Sequence, residues 1–375
     1  MSSHHFSLDP HMIYLNHAAV APWPIQTVEA VASFAQENGS TGAMHYPAWM
    51  KTESALRSQL AQLINAPSPE DIALLKSTSE GLSVIAHGID WEAGDNIVSI
   101  AQEFPSNRIV WQSLEPKGVE VRLLDLTSED DPEAALMRLC DENTRLLAVS
   151  SVQYASGRRM QLPKLGKFCQ AHQILFVIDA IQSLGALPFD VVSNQADVVV
   201  ADGHKWMLGP EGLALFYCSE TLREKLQLRQ FGWHMVENAW DFDRQDWEPA
   251  TSARRFECGS PNMLGVHALH SSLGLLLEMG VEKVSHLIER NCDEIIAQVD
   301  ARGFELLTPR DPQSRAGIVT FRVPDRDNPA LQQQLMDAQV VCACRGGGIR
   351  FSPHFHNTDS QITQAFGRLA RLISR

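Results

Sequence analysis

The feature that most constrains this chain is a series of seven short apolar runs separated by helical or turn segments. The runs are continuously apolar rather than alternating, which is typical of strands that are covered on both faces. Amphipathic helical segments lie between several of them, for example at 133–139 and 163–171. Strands that alternate with helices predict an α/β fold around a mainly parallel seven-stranded sheet. The predicted strands are residues 72–75, 97–100, 119–124, 146–150, 174–178, 198–201 and 213–217.

The pattern changes on either side of this region. Residues 24–64 have helical periodicity, and so does a long stretch over 263–299, which is broken once at Gly280. Short strand-like pieces and a closing helix at 359–373 follow. This order predicts a smaller α+β domain that is reached through a connecting helix.

Composition argues against several classes of protein. The 31 Lys and Arg against 45 Asp and Glu give a net charge of −14, which repels phosphate backbones, so we expect no nucleic-acid partner. No apolar run reaches the roughly 18 residues of a membrane span, and the first residues lack the pattern of a secretory signal, so we expect no membrane partner. Seven cysteines without a CxxC pair are typical of reduced thiols. We therefore expect a cytoplasmic, globular enzyme.

The most informative motif is a lysine at the end of an apolar strand. Lys205 follows the strand at 198–201 and enters a turn rich in Gly and Pro. Ligands of open α/β sheets bind at this edge, outside the carboxyl ends of the strands. A desolvated lysine has a lowered pKa and is nucleophilic enough to form a Schiff base. From the spacing alone, a lysine that merely reaches solvent from a loop is an equal alternative.

A second strand ends in an acid, Asp179, and Gln182 follows three residues later. Alone, Asp179 is more simply explained as a helix cap. However, a strand-end Asp two elements before the strand-end Lys205 is the arrangement that pyridoxal phosphate requires. The Asp pairs with the pyridinium nitrogen, and the Lys holds the aldehyde as an imine. Gln182 would then donate a hydrogen bond to the phenolic oxygen of the ring.

A third motif combines hydroxyl groups with the start of a helix. A strand runs into Ser77, Thr78 and Ser79, and a helical pattern follows. Helix N-termini bind phosphate through free backbone N–H groups, to which the hydroxyls add donors. An ordinary helix cap explains this motif alone equally well, but three such motifs in this order predict a cofactor site.

Together with the segments at 14–19, 102–107, 255–262 and 345–354, these motifs resemble the class V aminotransferases. This family of fold-type-I pyridoxal-phosphate enzymes includes cysteine desulfurases and isopenicillin N epimerase-like enzymes. The resemblance covers nearly the whole chain. It implies an N-terminal segment (1–20) that packs near the active site, a large cofactor-binding domain (21–260), and a connecting helix with a small C-terminal domain (261–375). It also implies a homodimer with shared active sites.

The resemblance assigns roles to individual residues. Lys205 would be the catalytic Schiff-base lysine, and Arg350 would hold the α-carboxylate of the substrate with its planar, two-pronged donor group. Asn16 and His17 are further expected substrate contacts. The expected cofactor-binding residues are Ser77, Thr78, Ser79, Phe104, Asp179, Gln182, His204, Lys205 and Ser260, of which Ser260 would come from the second subunit.

No metal is expected. His354 and His356 alternate along an apparent strand and would share a face, as metal ligands sometimes do. The sequence offers no third ligand, so a structural role is the better explanation for both.

Two departures from the family pattern bear on the reaction. Phe104 occupies the position where cysteine desulfurases carry a stacking histidine, and a phenyl ring stacks but does not move protons. Only Gly-Gly-Gly-Ile separates Arg345 from Arg350, which leaves no loop for the nucleophilic cysteine of the desulfurases. Cys342 and Cys344 lie in an apolar run, where small buried hydrophobic residues are expected.

The sequence therefore predicts a pyridoxal-phosphate enzyme that acts at the α-carbon of a small amino acid, with transamination as the leading reaction. The alternatives are a carbon–sulfur lyase or desulfurase-like enzyme, and an amino-acid epimerase. A non-catalytic binding protein is disfavoured because Lys205, Asp179 and Arg350 are all intact. A nicotinamide oxidoreductase is disfavoured because no GxGxxG motif follows the first strands.

Overall fold

The computed structural model describes residues 3–374, which form two sheets, one strand pair and eleven α-helices. The strands are β1 (Ile13–Tyr14), β2 (Ile72–Leu75), β3 (Asn96–Ile100), β4 (Glu120–Leu124), β5 (Thr144–Ser150), β6 (Leu175–Asp179), β7 (Val198–Asp202), β8 (Ala214–Cys218), β9 (Glu305–Leu306), β10 (Val319–Arg322), β11 (Val340–Val341), β12 (Ala343–Arg345) and β13 (Gly348–Phe351). The helices are α1 (Ile25–Thr41), α2 (Tyr46–Ile64), α3 (Thr78–Gly88), α4 (Ser106–Gln112), α5 (Pro132–Leu139), α6 (Leu162–His172), α7 (Glu220–Arg223), α8 (Met263–Met279), α9 (Val281–Ala301), α10 (Asn328–Asp337) and α11 (Asp359–Ile373).

The central sheet has seven strands in the order β2-β8-β7-β6-β5-β3-β4. Strands β4, β3, β5, β6 and β7 pair in parallel, whereas β8 is antiparallel to both of its neighbours, β7 and β2. Every residue of β3, β7 and β8 is buried, as expected for strands that helices cover on both faces. The predicted α/β fold with a mainly parallel seven-stranded sheet is confirmed.

The parallel direction brings the predicted site motifs to one edge of the sheet. Asp179 is the last residue of β6, and Asp202 is the last residue of the neighbouring strand β7. Lys205 follows three residues after β7 ends. Because β2 runs in the same direction as β7, helix α3 begins at this edge as well.

The helical region predicted at 24–64 consists of two helices. Helix α1 ends at Gly42, whose φ of 57° lies in the left-handed region that favours glycine, and α2 begins four residues later. The predicted break at Gly280 is present, and α8 and α9 meet there at 84°.

The C-terminal part contains an antiparallel sheet with the order β12-β13-β10-β9. Strand β1 from the start of the chain pairs in parallel with β11. One hydrophobic cluster runs through both parts of the chain and includes Leu15, Phe176, Leu269 and Phe366. The two parts therefore share a core, and the domain boundaries at residues 20 and 260 stay predictions.

Within residues 3–374, no single helix is both long enough and apolar enough to cross a membrane. Helices α8 and α9 meet the length and composition criteria only as a bent pair.

Candidate active site

A cavity of about 350 Å³ lies where the carboxyl ends of β6 and β7 meet the N-terminus of α3 and the C-terminal sheet. It brings together seven of the residues predicted from the sequence, namely Thr78, Phe104, Asp179, Gln182, His204, Lys205 and Arg350. A larger cavity of about 550 Å³ lies between α6 and the bend at Gly280 and contains none of these residues. We locate the site by its chemistry rather than by cavity size.

Lys205 is held in the cavity in a form suited to nucleophilic and base chemistry. The side chain is 8% exposed, and burial lowers the pKa of its amine to about 8, against the opposing charge of Asp179. Its Nζ lies 5.6 Å from the centre of the Phe104 ring. A substantial fraction of the amine is therefore neutral at mildly alkaline pH.

Asp179 presents a buried carboxyl group to the same cavity. Burial raises its pKa, the neighbouring carboxyl of Glu103 adds to this, and Lys205 opposes it. One carboxyl oxygen accepts a hydrogen bond from the backbone N–H of Ile181 at 3.0 Å. A cationic ring nitrogen would favour the ionised form of this carboxyl.

The residues at the start of α3 are only partly free to bind a phosphate. Ser77 caps the helix, since its hydroxyl accepts a hydrogen bond from the N–H of Glu80 at 3.2 Å. Thr78 exchanges two hydrogen bonds of 3.1 Å with Asp202, through its backbone N–H and its hydroxyl oxygen. The hydroxyl of Ser79 donates to that of Ser106 at 2.8 Å. Within residues 3–374, the Thr78 hydroxyl hydrogen and the backbone N–H of Ser79 remain for a ligand, whereas the N–H groups of Thr78, Glu80 and Gly81 are already bonded.

His204 offers a further polar group. Its Nδ1 is buried and has no hydrogen-bond partner among residues 3–374. Burial lowers the pKa of the ring to about 4, and the charge of Lys205 adds to this, so the ring is neutral near pH 7. Such an orphaned polar atom beside a helix N-terminus fits the phosphate of pyridoxal phosphate, because the ligand would satisfy it.

Arg350 is a buried cation without an acidic partner. The residue is 2% exposed and forms no salt bridge within the described part of the chain. One guanidinium nitrogen donates to the carbonyl of Tyr154 at 2.6 Å, a second lies 3.5 Å from the side-chain oxygen of Asn16, and Nε has no partner. Burial lowers its pKa to about 10. The guanidinium is therefore available to a carboxylate ligand.

The structure does not bring every predicted residue to the cavity. Ser77 and Ser79 flank Thr78 without lining the cavity, and Asn16 reaches it only through Arg350. Ser260 is exposed and lies in another cavity beside Lys76, so its predicted role depends on a second subunit.

The structure does not place His17, a predicted substrate contact, in the wall of this cavity. The residue is fully buried behind the cavity wall, where its Nδ1 lies 3.0 Å from the carbonyl oxygen of Ser352 and its Nε2 lies 3.0 Å from Nε2 of His356. His354 packs against the same ring. The three histidines form a buried cluster that joins the start of the chain to its C-terminal part.

A different group of residues could offer metal ligands. Glu53, His234 and Glu257 place their ligand atoms within 4.8 Å of one another. Arg57 already donates hydrogen bonds of 2.6 and 2.8 Å to Glu257 and one to Glu53. A cation at this position would compete with the guanidinium, so we assign no metal there.

Sequence reasoning missed several residues around the cavity. Asp202, Tyr154 and Arg345 line it. Glu103 lies directly behind, where the backbone N–H of Ser150 donates to it at 2.7 Å and burial raises its pKa. Asp202 carries the same strand-end signal as Asp179 and was identifiable by it.

Known proteins match this chain over most of its length. The family model described as Aminotransferase class-V matches residues 13–364. A probable cysteine desulfurase of Methanothermobacter thermautotrophicus is 28% identical over 374 residues, which cover 93% of this chain and 92% of the relative. A cysteine desulfurase of Salmonella typhimurium is 29% identical over 324 residues, which cover 83% of this chain and 78% of the relative.

Two solved structures have the same fold. The cysteine desulfurase CsdA of Escherichia coli superposes with a TM-score of 0.89 at 21% identity and covers 100% of this chain and 97% of its own. The cystine C–S lyase C-DES, in complex with its reaction product cysteine persulfide, gives a TM-score of 0.89 at 23% identity and covers 96% of this chain and 98% of its own. At these identities the likeness supports the fold, as predicted from the sequence.

Proposed function

Since the chain belongs to the class V aminotransferase family of pyridoxal-phosphate enzymes, we propose that it cleaves the carbon–sulfur bond of L-cysteine or of its disulfide. The observation that carries this proposal is the set of Lys205, Asp179 and Arg350 around one cavity, in a chain whose relatives are named cysteine desulfurases. These names favour the carbon–sulfur lyase alternative over the transamination that the sequence analysis places first.

Bound pyridoxal phosphate supplies an electron sink for the α-carbon of an attached amino acid. The residues of this chain supply the other functions. Asp179 would hold a proton on the ring nitrogen, and Arg350 would bind the α-carboxylate and fix the orientation of the substrate. The neutral amine of Lys205 would take the proton from the α-carbon.

The positions of the cysteines bear on the fate of the sulfur. No cysteine of the described chain lines the cavity. Cys344 is next to the cavity residue Arg345 in the chain, but its cross-strand partner is the core residue Ile349. Cys344 therefore lies on the core face of the sheet, opposite to the face that carries Arg345 and Arg350. Within one subunit, no thiol is therefore placed to accept sulfur from a substrate in the cavity.

This geometry favours elimination, in which the sulfur leaves with a product. L-Cysteine and water would give pyruvate, ammonia and hydrogen sulfide. L-Cystine and water would give pyruvate, ammonia and cysteine persulfide. In both cases the α-carbon loses a proton, the bond from the β-carbon to sulfur breaks with its electron pair on sulfur, and water releases the ammonia.

A second cation at the cavity favours the disulfide as substrate. Arg345 lies on β12, on the same face of the C-terminal sheet as Arg350 on β13. Within residues 3–374, no acidic side chain forms a salt bridge with Arg345. Cystine carries a second carboxylate beyond the sulfur, which this arginine would pair with, whereas cysteine does not.

The test is product analysis with the purified, cofactor-loaded protein and L-cysteine or L-cystine. We expect pyruvate and ammonia in equal amounts, with sulfide or persulfide, and no product from the Lys205→Ala variant. Alanine together with persulfide would instead indicate desulfuration. A keto acid that keeps its sulfur, or a D-amino acid, would overturn carbon–sulfur cleavage in favour of transamination or epimerisation.

We also propose that the protein is a homodimer whose subunits complete one another's sites. Ser260 supports this, because its hydroxyl lies outside the cavity of its own chain and is exposed. Light scattering should give twice the 41.7 kDa chain mass. Co-expression of Lys205→Ala with Ser260→Asp, which would repel the phosphate, should restore activity that neither variant has alone. A monomer, or a mixture without restored activity, would refute sharing.

A further inference from the structure

The side-chain amide of Gln182 is bonded to a hydrogen-bond donor at its oxygen and to an acceptor at its nitrogen. Its Oε1 accepts a hydrogen bond from the indole N–H of Trp206 at 2.9 Å, and its Nε2 donates to the carbonyl of Ala18 at 3.1 Å. Gln182 is 2% exposed and Trp206 is fully buried. An indole only donates and a carbonyl only accepts, so a flipped amide would set donor against donor and acceptor against acceptor. The orientation of the amide is therefore fixed.

This orientation leaves one N–H for a ligand. The amide nitrogen carries two hydrogens, and Ala18 accepts one of them. Within residues 3–374, no second acceptor is bonded to this nitrogen, and Gln182 lines the cavity. A flipped amide would offer an oxygen in its place, which cannot donate.

Trp206 is itself held firmly. The indole ring packs directly against Gly317, where a Cβ would lie 2.5 Å from its Cη2 atom. Only glycine at this position leaves enough space for the ring. His354 lies with its Nε2 3.2 Å from the carbonyl oxygen of Trp206. The N–H of Phe355 donates to Nδ1 of His354 at 2.9 Å, which leaves the hydrogen of the neutral ring on Nε2 as the donor.

We propose that Trp206 is a positioning residue for the cofactor. It fixes the amide of Gln182 so that the free N–H donates to the phenolic oxygen of bound pyridoxal phosphate. The inference rests on the proposed function only in requiring that this cofactor binds. A hydrogen bond from Gln182 would stabilise the ionised phenolic oxygen. It would therefore lower the pKa of the nitrogen of cofactor-bound Lys205, whose proton is shared with this oxygen.

The test is a pH titration of the visible absorption of the cofactor-loaded protein. The Trp206→Phe variant keeps an aromatic ring but removes the donor. In this variant we expect the apparent pKa of the cofactor absorption to rise by about 0.5 to 1 unit, because one hydrogen bond to the phenolic oxygen is weakened. The cofactor should stay bound. All variants keep the titratable and charged groups that line the cavity, namely Tyr154, Asp179, Asp202, His204, Lys205, Glu211, Arg345 and Arg350.

The Gln182→Ala variant is the matched comparison. We expect it to shift the pKa at least as far, and the double variant to shift it no further than Gln182→Ala alone. A Trp206→Phe titration equal to that of the native protein, or additive shifts in the double variant, would overturn the role of Trp206. An unshifted Gln182→Ala would overturn the contact itself. Failure of the native protein to bind the cofactor would refute the proposed function instead.

A second perturbation covers the case in which Trp206→Phe does not fold. In Gly317→Ala, the new methyl group would push against the indole ring without removing its N–H. We expect the apparent pKa of the cofactor absorption to rise in Gly317→Ala as well, but by less than in Trp206→Phe. A folded Gly317→Ala protein that titrates like the native protein would count against the inference.

Discussion

Replacing Arg350 with glutamine should weaken amino-acid binding and leave the ligand-free protein at least as stable as before. Burial lowers the pKa of Arg350 to about 10, which corresponds to a cost of about 3 kcal/mol for keeping the charge in the cavity. No acidic side chain of residues 3–374 offsets this cost. A substrate carboxylate would recover it, and about 3 kcal/mol is equivalent to a roughly 100-fold change in affinity.

The stability of the ligand-free variant has two opposing contributions. The substitution removes the buried charge, but it also removes the hydrogen bond to Tyr154, which is worth about 1 kcal/mol. The balance predicts a Tm that is unchanged or raised by a few degrees.

The assay is a titration of the cofactor-loaded protein with L-cysteine, followed by the visible absorption, together with a thermal melt without ligand. The Arg345→Gln variant provides the contrast, since it should weaken L-cystine binding more than L-cysteine binding. A Kd for L-cysteine within about threefold of the native value, or a Tm lowered by several degrees, would refute the reasoning. Arg350 would then be a structural group rather than a carboxylate receptor.

Three further outcomes are expected. The Lys205→Ala variant should form no borohydride-reducible link to the cofactor, and trapping of such a link would refute the assignment of this lysine. Because the pKa of Lys205 is lowered to about 8, attachment of the cofactor to cofactor-free protein should accelerate as the pH rises through 8 and level off above it; a rate that is constant from pH 6 to 10 would contradict this. Gly166→Ala should destabilise the protein by about several kcal/mol in denaturant melts, since its Cβ would lie 1.9 Å from the carbonyl oxygen of Asn194. The control is Gly367→Ala in helix α11, whose Cβ would meet no atom within 4 Å and which should stabilise the protein by about 0.5 to 1 kcal/mol. Equal effects of the two substitutions would refute the steric argument.

The strands of the central sheet were predictable because burial on both faces leaves a continuous apolar run in the sequence. All seven predictions lie within two residues of the observed strands. The direction of β8 was not predicted, because an apolar run does not encode direction. The signal was the length of the connection, since the residues between Asp202 and Ala214 are fewer than the roughly twelve that a crossover to a parallel strand needs.

The candidate site was predictable where chemistry follows directly from position on a strand, as it does for Lys205 and Asp179. The position of His17 outside the cavity was not predictable, because its ring meets His356, 339 residues away in the chain, and no local pattern reports such a contact. The hydrogen bond from Trp206 to Gln182 was missed for the same reason, since an apolar ring after a lysine carries no sign of its partner. The roles given to the cavity residues stay predictions until they are measured.

The pairing of β1 with β11 has a consequence for biosynthesis. The stretch at 18–20 that walls the cavity is anchored by hydrogen bonds from Leu15 to Val341 and from Ala18 to the hydroxyl of Ser352. Those partners leave the ribosome long after Lys205 and Asp179 have emerged. The nascent protein therefore carries the reactive lysine before these hydrogen bonds close the wall around it, and we expect the cavity to be complete only once Ser352 has emerged.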